Sequence, residues 1–179
     1  LLKYNMSIYK IVANDGTMEN FSEEKIEAKL KIMAQGLEHI DINIILDEIR
    51  SSLYEGIKVS ELKKTIINAA TFLIERHYNY SYLAARLLID QLCEEVLGLD
   101  YDKELLGEDL SLKKYRQGFI DYIGKGIKYQ LLNPELANFD LMKLAEAIDK
   151  NRDNNFQYLG AQTVYDRYLL KTPVKPRSI

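Results

Sequence analysis

The apolar residues of this chain are spaced for a short β element followed by a series of helices. "VANDGTMENFSEEKI", residues 12–26, reads as a strand, a two-residue turn, a second strand and the start of a helix, within a hairpin that spans 8–21. Asp15-Gly16 suits a type I′ turn, which needs positive φ at both central positions. Ser22 stands where a helix N-cap belongs, and Phe21 and Ile26 flank it at the spacing of a hydrophobic staple. A hairpin joined to a helix N-terminus is also a place where a phosphate can be held.

A first helix is expected from Ser22 to about Leu37, with Ile26, Leu30 and Met33 on one face and Gly36 near its end. A second runs from Asp41 to about Leu53, striped by Ile42, Ile45, Leu46 and Ile49. "GIKV", 56–59, is too short for a helix and fits a third strand beside the hairpin. Ser60 is expected to cap a third helix to about Arg76. "NYSYLAARLLIDQLCEEVLG", 79–98, makes a fourth, ended by Gly98. The stretch "LDYDKELLGEDL", 99–110, is acidic and weakly periodic, so a boundary is placed there. Helical segments near 111–131, 139–150 and 157–170 follow, separated by "NPELANFD" and "NRDNNF". The expected fold class is mainly α with a small β element (α+β), divided into domains 1–98 and 99–179, with no internal repeat.

Composition narrows the function. The chain has 179 residues, 47% hydrophobic and 28% charged, at a net charge of −3. That suits a globular protein of one or two small domains. A duplex-binding protein would carry a basic excess, so no nucleic-acid partner is expected. The acid-free "KTPVKPRSI" stretch reads as a solvated terminus. Cys93 is the single cysteine and sits in a helical pattern as a small buried hydrophobe, which excludes an intrachain disulfide and a cysteine-rich metal site. His39 and His77 lie far apart in sequence without evident ligand companions, so no metal site is expected. No apolar run reaches bilayer length, and the first residues lack the apolar core of a signal peptide; the expectation is a cytoplasmic protein with no membrane partner. Tyr115, Tyr122, Tyr129, Tyr158, Tyr165 and Tyr168 read as half-buried packing residues with solvated hydroxyls.

No P-loop, dinucleotide fingerprint, zinc-protease or nucleophile-elbow pattern occurs. No Ser/His/Asp or Cys/His arrangement is evident, and Glu94-Glu95 and Asp47-Glu48 read as solvated helix faces. Motifs alone describe a binding or interaction module.

A hairpin with Asp-Gly at its tip, then "FSEEKI", then "EGIKVSELKKTIINAA", then "YSYLAARLLI" resembles the ATP-cone, the regulatory nucleotide-binding domain of class I ribonucleotide reductase large subunits. "EGIKVSEL" is similar to that family's D-G-I-K-T-S-D-I, and "YSYLAARL" to its Y-Q-Y-L-A-A-R-L. "NRDNNFQYLGAQTVYDRYLLK", 151–171, resembles the segment leading into the family's catalytic barrel, R-D-x-x-F-x-Y-L-G-x-Q-T-L-Y-D-R-Y. The resemblance runs from about Ile8 to Lys171. It implies a cone followed by the start of the helical domain, with ATP or dATP and magnesium as effector. The implied partners are the remaining catalytic part of the large subunit, a small subunit carrying a metal-radical cofactor, and further copies of the cone. The family's catalytic cysteines lie beyond the residues matched here, so this chain alone is expected to be inactive.

The resemblance also marks the effector positions. Where the family's first strand ends V-x-K-R-D-G and its Lys and Arg reach the triphosphate, this chain has Ala13 and Asn14. Val59 replaces a nucleotide-binding Thr, and Lys63 stands at a His position one turn later. Gln91 and Glu95 replace the aromatic and Lys that close the site. Glu19 and Lys25 are retained, Ser22 stands where Asn is frequent, and Ile11, Phe21, Ile26, Leu62 and Ile66 keep the apolar positions. A hydrogen bond to a charged group contributes about 1.5–3 kcal/mol, so losing the Lys and Arg costs roughly 3–6 kcal/mol, or two to four decades of affinity. The expectation is a degenerate cone that serves assembly. A competent ATP/dATP cone is the alternative within the family. Outside it stand a helical interaction module and an ATP-cone transcription regulator, the latter requiring a four-cysteine zinc ribbon that one cysteine cannot make.

Overall fold

The computed structural model describes residues 9–97 and 108–169. These gather into two compact units: one runs to Leu88 and takes in Gln157–Leu159, and the other runs from Ile89 to Phe156 and resumes at Gly160. The boundary expected at 98/99 lies outside the described residues, as does the expected helix end at Gly98.

The first unit holds a three-stranded sheet ordered β2-β1-β3, with β1 at Lys10–Val12, β2 at Met18–Asn20 and β3 at Ile57–Lys58. β1 pairs antiparallel with β2 (Ile11 opposite Glu19) and parallel with β3 (Ile11 opposite Ile57). The "GIKV" strand therefore forms beside the hairpin as its pattern predicts. The turn differs from the type I′ expectation. Ala13 N–H donates to Thr17 O (2.8 Å) and Gly16 N–H to Ala13 O (3.0 Å), so three residues, Asn14 to Gly16, make the loop. Only Gly16 takes positive φ (+87°). Asp15 keeps a conformation open to any residue, and its carboxylate accepts from Thr17 N (2.9 Å) and Thr17 Oγ1 (2.6 Å). One extra loop residue and one glycine replace the doubly left-handed turn.

Four helices surround the sheet: α1 Glu23–Met33, α2 Ile42–Ser52, α3 Val59–Phe72 and the first part of α4 Asn79–Leu97. Ser22 caps α1 and Asp41 caps α2, as their sequence positions predict. Phe21 and Ile26 of the staple are both buried. Ser60 is not a cap: α3 begins one residue earlier, directly from β3, with Lys58 at the N-cap and no side-chain cap bond. A strand that runs straight into a helix leaves no turn for a capping hydroxyl. α3 also stops at Phe72 and tightens into a 3-10 turn, Leu73–Glu75.

The helices bury one stripe each: Leu30 from α1, Ile45 and Ile49 from α2, Ile66 and Ile67 from α3, and Leu83 from α4. Ala84 and Ala85 are completely buried, which lets the α4 backbone approach its neighbours. The "YSYLAARL" block then closes the α1–α2 connection. Arg86 Nη1 donates to Met33 O and Gln35 O, each at 2.8 Å, satisfying carbonyls that α1 leaves open at its end. Asn79 Nδ2 donates to Glu38 O (2.9 Å), and Tyr80 OH accepts from Asp41 N (3.0 Å).

The second unit is built from the rest of α4, then α5 Glu108–Lys128, α6 Leu141–Glu146 and α7 Tyr158–Thr163, whose first two residues belong to the first unit. Of the long segments expected at 139–150 and 157–170, the first is shortened to α6 and the second runs on from Tyr158 to Tyr168 but changes its winding partway. 3-10 turns occupy Pro134–Asn138 and Lys150–Asn155, and α7 passes into a π-helical turn, Val164–Tyr168. Asn133, Asp140 and Asp149 each cap the turn or helix that follows, so the chain restarts three times within seventeen residues. Short polar side chains that bind nearby backbone amides favour such restarts over one continuous helix.

Candidate functional site

The positions that the resemblance assigns to an effector divide between the units. Ile11 faces Glu19 and Ile57 in the sheet, and Val12 faces Lys58, after which Val59 leaves the sheet and opens α3. Lys63 follows Val59 by one turn on the same helix face. Ala13 and Asn14 lie at the hairpin tip, where Ala13 N–H is committed to Thr17 O and Asn14 is exposed. Ser22 and Lys25 mark the first turn of α1, directly after β2. Gln91 and Glu95 belong to the second unit, where Gln91 Nε2 donates to Glu95 Oε1 (2.8 Å).

The start of α1 carries its own anions. Glu23 and Glu24 fill the first turn. Ser22 Oγ donates to Glu24 Oε2 (2.9 Å) while accepting from Lys25 N (3.4 Å). The Glu24 carboxyl is held below its ordinary range, first by its own backbone amide and then by the Ser22 hydroxyl. A helix N-terminus stabilises negative charge through exposed amides, and here Glu24 takes that role. Glu23 faces the other way, into an ion pair with Arg50 of α2, which also meets Asp47. Both acids hold the Arg50 guanidinium further above its already high range. Nearby, Lys10 N–H donates to Glu55 Oε2 (3.0 Å), adding another carboxylate beside the central strand.

Sequence reasoning passed over Glu24, although an acid two residues after an N-cap serine is a readable signal. It also missed that Glu95 accepts from the Tyr165 hydroxyl at 3.3 Å (Oε1) and 3.2 Å (Oε2), a contact between residues seventy apart that no local pattern announces. Ala13 and Asn14 carry no charge at the hairpin tip, and the first turn of α1 holds a carboxylate. Among the described residues no cluster of three His, Cys, Asp or Glu side chains could hold a metal. No described helix is long and apolar enough to cross a membrane.

Residues 9–95 match the ATP cone domain, almost the span over which the sheet and four helices are built. The chain thus carries an ATP-cone followed by helices, and its homology extends beyond the cone. It is 38% identical over 162 residues to the ribonucleoside-diphosphate reductase subunit alpha of Chlamydia muridarum, covering 89% of this chain and 15% of that protein. It is 30% identical over 174 residues to the subunit alpha of Haemophilus influenzae (92% of this chain, 20% of that protein). For the ribonucleoside-diphosphate reductase 1 subunit alpha of Escherichia coli the figures are 30% over 167 residues, with 92% and 20% covered. The chain therefore spans about 15–20% of the length of these curated relatives.

Proposed function

We propose that this chain is the regulatory N-terminal portion of a ribonucleoside-diphosphate reductase large subunit, serving deoxyribonucleotide synthesis in the cytoplasm. Homology over 89–92% of the chain to subunits of that name supports the assignment. Residues 1–98 act as the cone and 99–179 as the start of the helical core. Reduction itself belongs to the remaining catalytic part of the subunit, and the metal-radical cofactor to the small subunit. The chain by itself is inactive, because its one cysteine, Cys93, is buried.

The cone is degenerate and contributes to assembly, through contacts with neighbouring cones or the small subunit. The observation that carries this reading is the α1 N-terminus, where the Glu24 carboxylate takes its own backbone amide and the Ser22 hydroxyl, together with a hairpin tip that has no cation at Ala13 or Asn14. Retained Glu19 and Lys25, with Lys63 in place of His, do not replace two lost cationic partners, a loss of roughly 3–6 kcal/mol.

Calorimetric titration with dATP and with ATP, each with magnesium, tests this directly. A Kd of about 0.1 mM or weaker is expected, given the two to four decades lost from a micromolar site. A low-micromolar Kd would instead make the cone a working sensor, coupling nucleotide binding to subunit contacts. Installing Ala13→Lys and Asn14→Arg together should recover one or more decades of affinity if the site is degenerate for the reason given.

A further inference from the structure

The second unit contains a cavity of about 340 Å³ walled by the end of α4, by α5 and by the π-helical turn. Its aromatic wall consists of Tyr115, Phe119, Tyr122, Tyr165 and Tyr168. Leu92, Val96 and Ile148 supply aliphatic surface. One carboxylate, Glu95, stands among them. The π-helical turn brings both Tyr165 and Tyr168 to the cavity, and such turns recur at functional sites.

Glu95 is held but not neutralised. It accepts from Gln91 Nε2 and from the Tyr165 hydroxyl, and among the described residues no cationic side chain pairs with it. Gln91, which fixes the carboxylate, leaves its own Oε1 buried without a hydrogen-bond partner. Cys93 closes part of the wall, its thiol pushed up to about 12 by burial, so it offers packing surface and no thiolate. The combination is thus a carboxylate held by two neutral donors, electron-rich ring faces and an otherwise apolar lining.

That chemistry selects a cation with an apolar body. A cation among aromatic rings gains from the ring quadrupoles, and Glu95, itself exposed to solvent, adds a counter-charge. An inorganic cation would find too few oxygen ligands, and a neutral hydrocarbon would leave Glu95 without a counter-charge. A volume near the lower end of ligand cavities suits a small molecule. We propose that this cavity is a binding site for a small primary amine with an alkyl or cycloalkyl body. Its ammonium sits against Glu95, within one helical turn of the orphaned Gln91 oxygen, and its hydrocarbon part lies among the tyrosine rings. This site takes in Glu95, one of the effector positions that the resemblance marks, and none of those on the hairpin.

The test is an NMR titration of the whole chain with cyclohexylmethylammonium chloride. Cyclohexylmethanol and cyclohexanecarboxylate serve as neutral and anionic matches of the same shape. Saturable shifts are expected at the amides of Val96, Gly118, Tyr122 and Tyr165. The amine should bind about tenfold more tightly than the alcohol, with the carboxylate weakest. Glu95→Gln keeps the shape and should erase the preference for amine over alcohol. Tyr168→Ala removes a ring that is 72% exposed, so the fold is retained, and should weaken the amine about threefold. Equal binding of amine and alcohol, no saturation by about 10 mM amine, or a tenfold preference that survives Glu95→Gln would each overturn the proposal.

Discussion

The two units spend similar lengths of chain on different kinds of packing. In the first, the six largest fully buried side chains among the described residues, Leu30, Ile45, Ile49, Ile57, Leu73 and Leu83, meet in one core. In the second, the buried apolar residues among those described are few, Cys93, Ile123, Ala145, Ala161 and Tyr165, while Phe139, Met142, Leu144 and Tyr168 are exposed. The first unit draws its shape from burial of aliphatic stripes. The second depends on Asx caps, on Tyr115 OH donating to Asp153 Oδ2 (3.0 Å) and on Arg116 Nη2 donating to Glu146 O (3.0 Å). Burial also holds the Asp153 carboxyl above its usual range, against the opposing effect of the Tyr115 hydrogen bond. The difference shows in the space left over: the second unit keeps a cavity with an aromatic wall around one carboxylate.

Substitutions can break this contrast. Leu30→Ala, at a side chain with 0% exposure, should cost about 2–5 kcal/mol in denaturant unfolding, while Phe139→Ala, at 60% exposure, should stay within about 0.5 kcal/mol. Equal losses would mean that Phe139 is covered in solution. Next in size, Arg86→Ala strands two carbonyls at the end of α1 and should cost about 1–3 kcal/mol. Hydrogen exchange should then place the opening at residues 33–41.

Cys93 sharpens the contrast through pH. Burial raises its thiol from an ordinary 9.0 to about 12, so the folded chain holds the proton more tightly than the unfolded one. Its contribution is complete below pH 9 and is lost as pH rises toward 12. Wild type should therefore lose stability faster than Cys93→Ala over pH 9–10.5, and alkylation at pH 8 should be far slower than for an exposed thiol. A fast alkylation rate would show that the aromatic cavity opens to reagents. The smallest effect belongs to the Arg50 pairs with Glu23 and Asp47, which lie at the surface. Arg50→Gln should cost less than about 1 kcal/mol, and added salt should remove most of that.

What the sequence disclosed follows the same division. Stripes at helical spacing and the caps Ser22 and Asp41 placed α1 and α2 within a few residues, because burial and local capping agree there. The hairpin's position was legible, but its turn type was not. Asp-Gly fits several loops, and hydrogen bonds from Thr17 to Asp15 decided for the three-residue one. In the second unit, periodicity was weak and Asx residues interrupted it, so the 3-10 turns and the π-helical turn went unseen. The effector positions came from family resemblance. The role of Glu24 was readable from its place two residues after Ser22, whereas the Tyr165–Glu95 contact needed coordinates, since it depends on a distant pairing.

The central strand β1 has two neighbours that arrive by different routes. β2 is its partner across a three-residue loop, a closure that isolated hairpins complete in about 1–10 μs. β3 can pair in parallel only after α1 and α2 have packed, since the Gly56 N–H that donates to Lys10 O (2.8 Å) lies 46 residues along the chain. Such distant pairing is slow, because loop entropy is lost before contacts compensate. In pulse-labelled refolding, the amide of Phe21, bonded to Tyr9 O, should gain protection early and that of Gly56 late. The sheet would then record the order of assembly, one edge set by the hairpin and the other by the helices.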